Sequence, residues 1–248
     1  MMNTSIVRHV LFDLGGTLMH ARRDWIPVLD NADHALGNRL LEYNIKLDPK
    51  VFRLRLHEYY EQRDKDFHET TYHFVLRELL KELGYPEVPE SVIRSALDAL
   101  YTITQSNWQL EEDALETLRI LKSKKYNLGI FSNAGDDNDV QKLIENFGIR
   151  QHFDFVLTSA ASFYRKPHPR AFEIALAQWN ISPHEAAMVG DSLDADIFGA
   201  KSLGMKSIWI TRRAQVKDEE IRRIKPDYSL RTLLELLPTL EGISAIRN

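Results

Sequence analysis

The stretch His9-Val10-Leu11-Phe12-Asp13-Leu14-Gly15-Gly16-Thr17-Leu18 decides the fold. Val10, Leu11 and Phe12 form the short apolar run of a buried parallel strand, and residues 6–12 are read as the first strand. Asp13 puts a carboxylate at the strand's C-terminal end. Gly15 and Gly16 permit a tight turn there, and Thr17 supplies a hydroxyl. In open α/β sheets ligands bind outside the carboxyl ends of the strands, so a reactive carboxylate belongs here. The competing reading of Asp13 is a capping residue for the next segment.

Working outward, the chain changes character after Leu18. From about 20 to 106 the apolar spacing is helical. Residues 25–43 form one helix, Asp48-Pro49 starts a second, 70–83 form a third, and Pro89 opens a fourth that runs through Tyr101. From Glu111 onward strands and helices alternate. Strands are read at 127–131, 153–157, 186–189 and 206–210, and helices at 114–123, 139–147, 169–179, 195–203 and 232–237. This alternation predicts an α/β class: a Rossmann-like three-layer core with a parallel sheet, carrying an inserted all-helical cap. Residues 1–19 and 107–248 are assigned to the core, and 20–106 to the cap.

Polar residues recur at the predicted strand ends: Asp13, Ser132, Ser159 and Asp191. Right-handed crossovers bring such ends to one edge of a sheet, which predicts a single site built from several loops. Asp13 is the candidate nucleophile, since a carboxylate can attack phosphorus and split one hard step into two. Val189-Gly190-Asp191-Ser192-Leu193-Asp194-Ala195-Asp196 is the second acidic element. Asp194 is read as a cap of the following helix. Asp191 and Asp196 are read as partners of Asp13. Three converging carboxylates would repel by about 4 kcal/mol per pair at about 4 Å and an effective dielectric near 20. A cation removes that cost, and an all-oxygen site suits Mg²⁺, with the Gly15 carbonyl as an additional ligand. Ser132 offers a hydroxyl to phosphate oxygens. Lys166, in Tyr164-Arg165-Lys166-Pro167-His168-Pro169, would balance the carboxylates and the anion, while His168 is read as local structure.

These four elements in order resemble the haloacid dehalogenase superfamily: Phe12-Asp13-Leu14-Gly15-Gly16-Thr17-Leu18, then Phe131-Ser132-Asn133, then Arg165-Lys166-Pro167, then Gly190-Asp191-Ser192-Leu193-Asp194-Ala195-Asp196. The early helical insert matches the position of that superfamily's C1 cap. The resemblance implies Asp13 as nucleophile and Mg²⁺ ligand, Gly15 as a carbonyl ligand, and Asp191 and Asp196 as metal ligands. It implies that Gly16, Thr17, Ser132, Asn133 and Lys166 hold the phosphoryl group of a small phosphorylated metabolite. Asp13, Thr17, Ser132 and Lys166 would form the catalytic set.

One departure matters. Phosphatases of this group carry an aspartate two positions after the nucleophile as general acid and base; here that position is Gly15. His20, Arg22 and His68 are the candidates to replace it, with a surface or packing role as the expected reading of each. An aspartate restored at Gly15 is expected to speed turnover, most for alkyl phosphates. The alternatives are a catalytically weakened binding protein on this fold and a metal-independent 2-haloacid dehalogenase.

Composition narrows the rest. The chain has 248 residues, a formal net charge of -4 and no cysteine. The charge gives no basic footprint for nucleic acid. Without cysteine there are no disulfides, thiol nucleophiles or thiolate-bound metals. No apolar run approaches a membrane span. A cytoplasmic monomer or homodimer is expected. The aromatic and basic residues that could face a substrate from the cap (Trp25, Arg53, Arg55, Tyr59, Tyr60, Arg63, Tyr72), with Trp108 just beyond it, carry no readable pattern.

Overall fold

The computed structural model describes residues 7–245. In chain order it contains β1 (His9–Phe12), β2 (Met19–Ala21), α1 (Trp25–Leu41), α2 (Pro49–Asp66), α3 (Tyr72–Glu82), α4 (Glu90–Gln105) and β3 (Trp108–Leu110). There follow α5 (Ala114–Ser123), β4 (Asn127–Ser132), α6 (Asp137–Asn146), β5 (Phe155–Thr158), α7 (Ser159–Ser162), α8 (Pro169–Ala177) and β6 (Ala186–Gly190). A π-helical turn (Leu193–Phe198), α9 (Gly199–Ser202), β7 (Lys206–Ile210), α10 (Asp218–Ile224), β8 (Tyr228–Leu230) and α11 (Leu236–Ala245) complete it.

Six strands form one parallel sheet in the order β5-β4-β1-β6-β7-β8. β1 lies between β4 and β6, with Phe12 opposite Ile130 and Val189, so the C-terminal ends of these three strands are level. The period-2 alternation of side chains sorts the core into two layers. Val10 and Phe12 pack with Leu118, Leu143, Ile144, Ile208 and Leu236 on one face. Leu11 packs with Phe131, Phe172, Met188 and Met205 on the other. This is the expected three-layer α/β core.

Helices α1–α4 bury a separate apolar cluster that includes Leu36, Leu40, Phe52, Leu76, Leu79, Ile93 and Leu97. The chain enters and leaves this block through the antiparallel ribbon β2–β3, in which Met19 pairs with Leu110 and Ala21 with Trp108. A turn between α2 and α3 docks on the core. Glu69 N–H donates to the Phe163 carbonyl and Arg165 N–H to the Phe67 carbonyl, both at 2.8 Å, and Tyr72 N–H donates to the Gly135 carbonyl at 3.1 Å. Glu69 itself is buried, and accepts from Ser159 Oγ and the Arg165 guanidinium.

The structure differs from the sequence reading in several elements. The first strand begins at His9, while Ile6 lies outside the described residues, as do the outermost residues of both expected core segments. The helix expected from Ala195 starts two residues earlier as a π turn, with Ile197 N–H reaching back five residues to the Ser192 carbonyl at 3.2 Å. Its cap is Ser192, whose hydroxyl accepts from Ala195 N–H; Asp194 instead pairs with Arg223 at 2.8 Å at the surface. The last helix runs Leu236–Ala245 rather than 232–237, because Thr232 first caps a short 3₁₀ turn. β2, β3 and β8 were not foreseen. Each has three residues, too few to show a period.

Candidate active site

β1, β4 and β6 deliver Asp13, Ser132 and Asp191 to one end of the sheet, where a cavity of about 420 Å³ opens. It is lined by Asp13, Gly15, Ser132, Asn133, Lys166 and Asp196 among others, a size suited to a small metabolite. Asp13, Asp191 and Asp196 each place one carboxylate oxygen within 4.8 Å of the others'. The sequence-derived triad therefore converges.

Two glycines make this convergence sterically possible. A Cβ on Gly16 would stand 2.2 Å from Asp191 Oδ2, and Gly16 also has φ +80°. A Cβ on Gly190 would stand 2.2 Å from Asp196 Oδ2. Each carboxylate thus lies flat on a bare backbone. The π turn completes the arrangement: Asp196 Oδ2 accepts from Ser192 N–H at 3.0 Å, folding the side chain back toward the strand end.

Lys166 is 3% exposed and sits at the centre. Its Nζ donates to Asp13 Oδ1 and to the Phe131 carbonyl, each at 2.7 Å. Asp196 Oδ1 lies 2.6 Å from the same nitrogen, an ion pair whose angles fall short of a hydrogen bond. Burial alone would lower the lysine's pKa, but the charges of Asp13 and Asp196 outweigh it and the net shift is upward. The charged form of the lysine is therefore favoured. Asn133 holds it in place: its Oδ1 accepts from Lys166 N–H at 2.8 Å, and its Nδ2 donates to the Lys166 carbonyl at 2.9 Å.

The carboxylates are short of positive charge. Burial, then the charges of Asp13 and Asp196, push Asp191 up to about 7. Burial pushes Asp196 up to about 6, with Lys166 opposing and Asp13 reinforcing. Three carboxylates with oxygens this close could hold a hard divalent cation. The residues present fit Mg²⁺.

Other expected residues fall elsewhere. Thr17 is fully buried with its hydroxyl unpaired among the described residues, and neither it nor Gly16 lines the cavity. His168 caps α8 by accepting from Arg170 N–H, as a local structural residue would. None of the three candidates for the missing acid lines the cavity. His20 pairs with Glu111 at 3.0 Å, Arg22 Nε donates to the Trp108 carbonyl at 3.1 Å, and His68 stacks among Phe163, Tyr164 and His168. Trp108, singled out in the sequence only as one of many aromatic candidates, lines the cavity; three further contributors have no signal in the sequence: Asp139, which lines it, Arg165, which lines it and pairs with Glu69, and Glu69 itself.

A model of the haloacid dehalogenase-like hydrolases matches residues 7–204. The chain belongs to this family. Haloacid dehalogenase-like hydrolase domain-containing protein 3 of Bos taurus is 36% identical over 143 residues, 56% of each chain, so the match spans little more than half of that relative. Glyceraldehyde 3-phosphate phosphatase of Pyrococcus furiosus is 29% identical over 236 residues, 95% of this chain and 93% of that one. A crystal structure of a HAD phosphatase from Thermococcus onnurineus superposes with TM-score 0.65 at 28% identity, covering 95% of this chain and 98% of that chain. The protein is accordingly a HAD-like hydrolase, with relatives named as phosphatases along nearly its full length.

Proposed function

We propose that this HAD-like hydrolase is a Mg²⁺-dependent phosphatase of a small phosphorylated metabolite, with residues 20–106 acting as the cap over a core formed by the remainder. The observation that carries the reading is the convergence of Asp13, Asp191 and Asp196 around Lys166. Full-length similarity to a relative named a phosphatase supports it.

In this reading Asp13 attacks phosphorus in line and becomes an aspartyl-phosphate. Lys166 fixes the attacking carboxylate and offsets charge on the transferred group. Ser132 offers its hydroxyl to a phosphoryl oxygen from the end of β4, and Asn133 positions Lys166. Mg²⁺ held by Asp13, Asp191, Asp196 and the Gly15 carbonyl would neutralise the carboxylates and polarise the phosphoryl group. The cluster of three carboxylates is unsuited to dehalogenation, because without a cation it repels a carboxylate substrate.

The test is direct. Phosphate and halide release are measured over phosphorylated metabolites and 2-haloacids, with Mg²⁺ and with a chelator, for wild type and Asp13→Asn. Phosphate release that requires both Mg²⁺ and Asp13 is the expected result. Halide release that survives the chelator would establish the dehalogenase, and turnover of neither class would overturn the phosphatase reading.

A further inference from the structure

The departure at Gly15 leaves the leaving group without its usual proton donor, and the cavity restricts what can replace it. Among the described residues lining it, the ionisable ones are Asp13, Asp139, Arg165, Lys166 and Asp196. Asp13, Lys166 and Asp196 are bound to one another. Arg165 is held by buried Glu69, and a guanidinium does not give up its proton at working pH. That leaves Asp139.

Asp139 lies in the first turn of α6 and is half-buried. It shares the cavity wall with the apolar side chains of Val140, Leu143 and Trp108. One oxygen is fixed, since Gln105 Nε2 at the end of α4 donates to Oδ1 at 2.7 Å. Oδ2 has no hydrogen-bond partner among the described residues. A carboxyl group in the cavity wall, oriented by one oxygen and free at the other, can serve as a proton donor. We propose that Asp139 is the general acid and base of the reaction, replacing the side chain absent at Gly15. The proposal rests on the phosphatase reading.

The step balances. An Asp13 carboxylate oxygen forms a bond to phosphorus as the bond from phosphorus to the leaving oxygen breaks. The departing electron pair takes the proton of the Asp139 carboxyl, releasing an alcohol. The Asp139 carboxylate then takes a proton from the water that attacks the aspartyl-phosphate, giving inorganic phosphate and restoring both side chains.

The environment suits this work. Burial pushes the Asp139 carboxyl up to about 6, against the Gln105 hydrogen bond; Asp136 and Asp98 push in the same direction as burial, and Lys142 opposes. Tyr101 is the remaining titratable neighbour on α4. A donor near neutrality cycles between both forms in one turnover.

The experiment compares p-nitrophenyl phosphate, whose leaving group needs no proton, with glycerol 2-phosphate, whose leaving group does. Both are assayed with Mg²⁺ for wild type, Asp139→Asn and Asp13→Asn. Asp139→Asn keeps an oxygen for Gln105. We expect it to lower kcat on the alkyl ester by about 100-fold or more, and on the aryl ester by at least about tenfold less. In wild type the alkyl-to-aryl rate ratio should fall as pH rises above about 6; this readout requires no variant to fold. Equal losses on both esters, no loss on the alkyl ester, or a pH-independent ratio overturns the assignment. Asp13→Asn as fast as wild type, or a wild type that cleaves neither ester, overturns the phosphatase reading instead.

Discussion

Trp108 stands over Gly15: its Cη2 lies 3.0 Å from where a Gly15 Cβ would be. The indole is braced edge-to-face by Trp25, with ring centroids 5.0 Å apart, so it does not yield freely. The space where the family resemblance leads one to expect an aspartate side chain is here filled by Trp108, from the strand that closes the cap ribbon.

Gly15→Asp alone is therefore expected to gain little. Gly15→Asp combined with Trp108→Leu gives the new carboxylate room. In an Asp139→Asn background the combined change should raise alkyl phosphate turnover by about tenfold or more, and Gly15→Asp alone should not. Steady-state kinetics on glycerol 2-phosphate checks this; equal rates for the two variants would show that Trp108 does not control the position.

Lys166→Met should show how the carboxylates share their counter-charge. Removing the ammonium leaves Asp13 and Asp196 buried and unpaired, a loss of about 3–5 kcal/mol. Urea titrations in chelator should show that loss, and saturating Mg²⁺ should recover part of it by binding only the folded state. A loss unaffected by Mg²⁺ would contradict the metal assignment.

Stability should carry the signature of Asp139. Its pKa is raised from 3.8 to about 6, so the folded state holds the proton more tightly than the unfolded chain. The resulting stabilisation is complete below about pH 4 and is lost as pH rises through about 6, with an upper bound of about 3 kcal/mol. Asp139→Asn lacks this dependence. Unfolding of both proteins between pH 4 and 7 should show wild type losing stability relative to the variant. A constant difference would mean the carboxyl is not perturbed.

Glu69→Gln tests the docked turn. Ser159 can still bond the amide, but Arg165 loses its buried counter-charge, at a cost of about 3–5 kcal/mol. Because Arg165 lines the cavity, KM should rise more than kcat falls. Loss of kcat at unchanged KM would place the effect elsewhere.

The parts of this molecule that were legible in the sequence are those whose cause is local. Asp13, Ser132 and Asp191 could be found because a short apolar strand followed by a polar residue and glycine is written within a few positions. Asp139 could not. Gly135-Asp136-Asp137-Asn138-Asp139 reads as the acidic start of a helix, and Asp136 does cap α6. What makes Asp139 different is Gln105, 34 residues away, and an apolar wall assembled from α6 and β3. His20, Arg22 and His68 take the packing roles expected of them, for the converse reason. His20 and Arg22 are near the site in sequence, but β2 carries them toward Glu111 and the β3 backbone. β8 has no sequence signal because Tyr228-Ser229-Leu230 is too short to show a period, whereas β5, the other edge strand, carries one more residue and a continuous apolar run.

Gly16 and Gly190 have a consequence for how this chain can evolve. Neither contributes a reacting atom, yet each is the floor on which an acidic side chain rests. Even alanine there would collide with Asp191 or Asp196. An amide in place of either carboxylate has the same size and makes no such collision. Of the positions that build the acidic cluster, Gly16 and Gly190 are thus the least free to change, and a saturation library should find them more intolerant than the acids they support.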